Sequence, residues 1–166
     1  YTASYSWSSA YDDGEGAFYV PMNSYDPGAD WGRAGFNRRH RYNFGVNMQA
    51  PFGTLLSVDA FGNSGRPYNI TTGSDDNNDL QTNDRPEGVE RNSADGPSFF
   101  VVDMNLSKTF RLNDSGTQVS IYATMDNAFN LVNLRNPSGV LTSSFFGIPT
   151  SASSARDVEL GMRYQF

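Results

Sequence analysis

Apolar and polar residues alternate one by one along several stretches of this chain, and a strand, which points successive side chains to opposite sides, is the element that turns such alternation into two faces. The pattern is sharpest in the last eleven residues. Val158, Leu160, Met162, Tyr164 and Phe166 fall on one face, and Asp157, Glu159, Gly161, Arg163 and Gln165 on the other. Tyr1 to Tyr11 carries Tyr1, Ala3, Tyr5, Trp7 and Tyr11 against Thr2, Ser4, Ser6 and Ser8. His40 to Ala50 sets His40, Tyr42, Phe44, Val46, Met48 and Ala50 against Arg41, Asn43, Gly45, Asn47 and Gln49. Leu56, Val58, Ala60 and Gly62 oppose Ser57 and Asp59. Phe100, Val102, Met104, Leu106, Lys108 and Phe110 oppose Asp103, Asn105, Ser107 and Thr109, with Val101 as an apolar interruption. Val119, Ile121, Ala123 and Met125 oppose Gln118, Ser120, Tyr122, Thr124 and Asp126. About six two-faced strands are therefore expected.

The connections come in two sizes. Pro51-Phe52-Gly53 and Asn113-Asp114-Ser115-Gly116 are short turns, whereas residues 12–39, 63–97 and 127–154 are long and rich in Asp, Asn, Gly and Pro. Gly and Pro beside Asp are turn chemistry, so no long regular element is expected in them. Long and short connections alternate strictly. An outer-membrane barrel distributes its connections in this way, with short periplasmic turns and long extracellular loops. A soluble Greek-key sandwich would scatter loop lengths over both ends. The expected fold is all-β: antiparallel transmembrane barrel strands, with the apolar face toward lipid and the polar face toward a lumen. Six strands do not close a membrane barrel, and an open edge in lipid leaves backbone groups unpaired at several kcal/mol each. Either the chain is part of a larger barrel, or several copies close one together, or the long connections hold further strands; the first is the expectation adopted, with residues 1–166 as one incomplete domain, the closing part of a larger barrel.

Composition narrows the picture only a little. No run approaches the ~20 apolar residues of a membrane-spanning helix, which leaves a barrel untouched. The chain has no Cys, so thiolate metal sites and disulfides are excluded. A net charge of −6 argues against a nucleic-acid partner.

Several segments, taken together and in order, resemble the closing strands of TonB-dependent outer-membrane receptors, most closely the Oar-like group with an N-terminal carboxypeptidase-regulatory-like domain. They are Arg38 to Phe44, Ala50-Pro51-Phe52-Gly53, Ser64 to Gly73, Asn83-Asp84-Arg85-Pro86 with Gly88-Val89 and Arg91-Asn92, Asp126 to Asn130, Phe146-Gly147-Ile148-Pro149, and Arg156 to Phe166. The final strand, Val158, Leu160, Met162, Tyr164 and Phe166, is similar to the C-terminal insertion signal that outer-membrane proteins present to the barrel assembly machinery. The resemblance implies a bacterial outer-membrane location, a 22-stranded barrel around an N-terminal plug, and uptake energised through TonB. Its implied partners are outer-membrane lipid, the plug, the TonB system and the assembly machinery. The plug and the TonB box would lie upstream of these residues. The substrate is not implied.

Candidate chemistry is sparse. Asp75, Asn77 and Asp79 match the first three positions of a calcium loop, but Leu80 stands where that loop needs Gly and Pro86 where it needs the bidentate Glu. Calcium, closed by Asp84 or Glu87, competes with a plain Asx-turn loop; no other cofactor is expected. Phe18, Tyr19, Tyr25 and Trp31 in the first long loop, with Arg85 in the second, are candidate substrate contacts, against self-packing of the loops. Arg33, Arg38, Arg39, His40 and Arg41 suit an anionic substrate or headgroups, against ordinary pairing with Asp59, Asp103 and Glu159. His40 is the only His and lies on the apolar face, so an enzyme is not expected. Two other functional classes compete with uptake: an adhesive or structural barrel module binding a surface partner through its loops, and a soluble calcium-dependent β-sandwich.

Overall fold

The computed structural model describes residues 1–114 and 116–166, so Ser115 of the second short turn lies outside the described residues. Its strands are β1 (Thr2–Trp7), β2 (Tyr11–Asp12), β3 (Gly32–Arg33), β4 (His40–Ala50), β5 (Thr54–Asn63), β6 (Pro67–Tyr68), β7 (Ala94–Asp95), β8 (Phe99–Arg111), β9 (Gln118–Asp126) and β10 (Asp157–Gln165). Six of them form one antiparallel sheet in the order β1-β4-β5-β8-β9-β10. This is a plain meander, each strand beside the next long one in sequence. The remaining four make two small pairs, β2-β3 and β6-β7, inside the long connections.

The register turns six separate alternations into two continuous faces. One row runs Val46, Val58, Met104, Met125, Val158, and the next runs Met48, Leu56, Leu106, Ala123, Leu160. One residue along, Asn47, Ser57, Asn105, Thr124 and Glu159 form a polar row on the opposite face. Cross-strand hydrogen bonds knit that face together: Ser57 Oγ to Asn47 Oδ1 at 2.6 Å, Asn105 Nδ2 to Thr124 Oγ1 at 2.9 Å, and Thr109 Oγ with Ser120 Oγ at 2.8 Å. A slip by one residue would exchange the two faces completely, so the register is strongly specified.

Aromatics mark both ends of the apolar face. Toward the long connections stand Trp7, Tyr5, His40, Tyr42 and Phe100; the Tyr5 hydroxyl meets His40 Nδ1 at 2.8 Å, and Tyr42 lies 6.2 Å from Phe100. Toward the short turns stand Phe52, Phe110, Tyr164 and Phe166, the last two 5.8 Å apart. Aliphatic rows fill the middle. The sole lysine, Lys108, lies on this face just inside the second belt, its ammonium 4.9 Å from the Phe110 ring. Belts of this kind are where amphipathic rings meet headgroups in a membrane barrel.

Both short turns lie at one end of the sheet and all three long connections at the other. In the first turn, Phe52 and Gly53 have φ of 64° and 71°. Glycine takes this left-handed conformation freely, whereas Phe52 is held there by the reversal between β4 and β5. The soluble-sandwich alternative fails here, because a sandwich buries one sheet face against another. In this sheet the apolar face is bare, and among the described residues the buried apolar side chains are Ala34, Val102 and Pro67.

One strand expectation needs correction. β1 ends at Trp7, not Tyr11. Its partner β4 begins at His40, so beyond the Ser8 N–H to Arg39 carbonyl bond (3.0 Å) the ladder has nothing to pair with. Tyr11 turns aside to pair with Arg33 in the small β2-β3 ribbon. Within the long connections β2-β3 and β6-β7 are ladders of two residues each, too short to carry a periodicity.

Leu160 sits in a central row of the apolar face and is 76% exposed. Leu160→Arg is expected to destabilise the folded protein in lipid vesicles by about 2–4 kcal/mol, whereas Glu159→Gln, on the polar face, should change stability far less. Denaturant titration of both variants reads the difference; equal costs would mean that the faces are exchanged.

Candidate functional site

The long connections fold together over the end of the sheet, and their interior reverses the usual order of a protein core. The largest fully buried side chains are Arg91 and Asp30. A buried charge is tolerable only when paired and hydrogen-bonded, and both are. Arg91, from the second connection, forms ion pairs with Asp12 and Glu15 of the first. It also donates to the Asp30 carbonyl at 2.7 Å and to the Asp12 carbonyl at 2.6 Å. The Tyr19 ring lies 5.6 Å from its guanidinium. Asp30 pairs with Arg85 at 2.6 Å and accepts the Met22 N–H at 2.8 Å. Arg85 also donates to the Ala29 and Val89 carbonyls.

Short polar side chains extend the knot. Asn92 is in the left-handed region at φ 54°; its carbonyl accepts the Arg33 Nε–H at 2.8 Å, its amide donates to Glu15 and to the Arg33 carbonyl, and its N–H donates to Asn69 Oδ1. Arg33 pairs with Asp95 across the same two connections. The third connection is tied in separately. Asn133 accepts the Phe100 N–H and donates to the Phe100 carbonyl, both at 2.8 Å, which imitates a strand partner. Asn127 accepts from Leu131 and takes its own N–H to Asp103 at 2.8 Å. Thr71 and Val140 form a parallel bridge between the second and third connections.

Between these connections and the polar face lies a cleft of about 910 Å³, lined among others by Arg38, Arg66, Arg135, Phe36, Tyr68 and Phe99. Phe99 and its partner Asn63 stand at the ends of β8 and β5, which places the cleft on the lumen side of the mouth. Burial, then the nearby Arg66 and Arg41, pulls the Arg38 guanidinium down to about 10.

The candidate residues divide between scaffold and surface. Arg85 is buried in its pair with Asp30, and Tyr19 packs on Arg91, so both belong to the loop scaffold. Trp31 stacks on Tyr11, ring centroids 6.4 Å apart. Phe18 and Tyr25 are almost fully exposed. Asp75, Asn77 and Asp79 spend their oxygens on their own loop: Asp75 accepts the Asp79 and Leu80 N–H groups, Asn77 accepts Asp79, and Asp79 accepts Gln81. Asp84 likewise accepts the Asp76 N–H at 2.7 Å. These are Asx turns. Among the described residues no three His, Cys, Asp or Glu side chains gather to hold a metal ion. The expected pairing of the basic cluster with Asp59, Asp103 and Glu159 is not found among the described residues; Arg33 turns to Asp95, and Asp103 is taken by the Asn127 N–H. Val158, Leu160, Met162, Tyr164 and Phe166 all lie exposed at the edge strand β10 and just beyond it.

Sequence reading did not single out the roles of Asp30, Arg91, Arg66 and Arg135. Their partners come from other connections, and no local spacing announces a contact made through space.

An antiparallel sheet with one bare apolar face between two aromatic belts, one polar face, and loops of unequal length at its two ends is the wall of a membrane β-barrel. The chain belongs to the outer membrane beta barrel domain family, whose model matches residues 1–90 and 88–159. Its place is the bacterial outer membrane. No curated protein and no solved structure matches the chain.

Removing one partner of a buried ion pair strands the others. Arg91→Met is expected to lower stability by about 3–5 kcal/mol, read as loss of protease resistance in the long connections before the sheet unfolds in denaturant. Tyr19 gives a pH signature. Burial, then the Asp30 carboxylate, raises its phenol from 10.0 to about 12. A raised acid favours the folded state while it stays protonated, so its contribution is complete below about pH 10 and lost as pH climbs toward 12. Phenolate absorbance is expected to show one late-titrating tyrosine that Tyr19→Phe removes, together with the softening of the loops in that window.

Proposed function

We propose that this is the closing part of the barrel of a TonB-dependent, Oar-like outer-membrane receptor, which takes up a solute delivered to its outer mouth. The observation that carries the reading is the wall's asymmetry. Short turns close one end, while at the other the three long connections, the first two braced by buried charge and the third tied in by amides, enclose a cleft opening toward the lumen. A binding chamber at the outer mouth is what a receptor needs before it can release a solute inward. The ordered segments that resemble this receptor group support the same reading. In it, Phe18 and Tyr25 at the loop tips make the first contacts with the solute, the N-terminal plug occupies the lumen, and β10 engages the barrel assembly machinery. An adhesive barrel is the competing class, favoured by the same two bare aromatics.

Native protein extracted from outer membranes distinguishes them. Uptake predicts a heat-dependent gel shift at a mass several times the 18.3 kDa of these residues, and capture of the native protein by the periplasmic domain of TonB. A shift at the mass of this chain alone, or no capture, would overturn the uptake reading and leave adhesion.

A further inference from the structure

We infer that the lumen-side cleft recognises an anionic solute, one bearing carboxylate or phosphate groups on a body with apolar or planar surface, through Arg38, Arg66 and Arg135. This deepens the receptor reading and rests on the cleft being its ligand chamber. The three arginines come from three different connections and face one space. Acids outnumber bases in the whole chain, 18 to 12, yet none of the three forms an ion pair among the described residues. Arg66 reaches only the Gly35 carbonyl and Arg38 only the Asn37 carbonyl, both at 3.3 Å. The acids on the cleft wall, Asp12 and Glu15, are already bound to Arg91.

Like charges brought together without counter-ions raise the free energy of the empty site, and an anion between them relieves it. Guanidinium groups suit the task because their paired N–H donors match carboxylate and phosphate oxygens two at a time. Phe36, Tyr68 and Phe99 supply flat apolar surface beside them. The volume of about 910 Å³ lies at the upper end of small-molecule sites, room enough for an oligomeric solute. An acidic patch of an upstream plug would meet the same arginines as an anionic solute does, and the melting temperature in the test separates the two.

The test uses the intact native protein in detergent, with inorganic pyrophosphate and fluorescein-labelled hexaglutamate as probes and hexalysine as control. Saturable, salt-sensitive binding of at least one anionic probe is expected, with pyrophosphate and hexaglutamate separating a phosphate from a carboxylate ligand. The triple variant Arg38→Gln, Arg66→Gln, Arg135→Gln should weaken it by about tenfold or more, as loss of charge-assisted hydrogen bonds implies. Retention of the heat-dependent gel shift shows that the variant is folded; if it is not, Arg135→Gln alone, at an exposed side chain, serves instead. Unchanged affinity in a folded variant, or equal binding of hexalysine, overturns the inference. So does unaltered probe binding with a lowered melting temperature, which would assign the arginines to the plug. Failure to be captured by TonB, with anion binding intact, would sink energised uptake and leave the anion site standing.

Discussion

A peptide group in hydrocarbon has no water to bond with, and each one left unpaired costs several kcal/mol. Everything in this sheet follows from that. The strands run long and antiparallel because a ladder is the only way a strand satisfies its own backbone in lipid. The meander from β1 to β10 pairs neighbours without crossovers. Once the ladder fixes the register, the alternation in each strand becomes a commitment of the whole surface. The row from Met48 to Leu160 has no choice but to face outward if the row from Asn47 to Glu159 faces the lumen.

The same constraint explains why the molecule is inside-out. With its apolar side chains given to lipid, the chain has few left to bind its loops together. It uses charge and amides instead: Arg91 with Asp12 and Glu15, Arg85 with Asp30, and the asparagines 92, 127 and 133 as substitutes for missing backbone partners. Such contacts are directional, so they set the loops in one arrangement, and that arrangement defines the cleft. The arginines left facing the space are those the knot does not use.

What could be read from the sequence was what repeats locally. Period-two alternation located the six long strands and both faces, because one strand's pattern is complete in itself. Contacts made between distant residues could not be read. Nothing near Arg91 distinguishes it from Arg38, although one is sealed in a charge knot and the other borders open space. Tyr11 continued the alternation of β1, yet the strand ended earlier because its partner did. The oxygen spacing at Asp75, Asn77 and Asp79 was legible but ambiguous, since a calcium loop and a run of Asx turns place oxygens alike and both accept the loop's own N–H groups.

Lys108 gives this wall a built-in reporter. It is the sole side-chain primary amine in these residues, and it stands on the lipid side, against Phe110, close to the turn end. A water-borne acylating reagent finds that amine freely in an unfolded or partly inserted chain. Once the wall is seated, the surrounding acyl chains and the ring shield it. The rate at which Lys108 becomes unreactive, read at that residue by mass analysis of its peptide after acylation, would therefore time the moment at which β8 enters the bilayer, with no residue replaced.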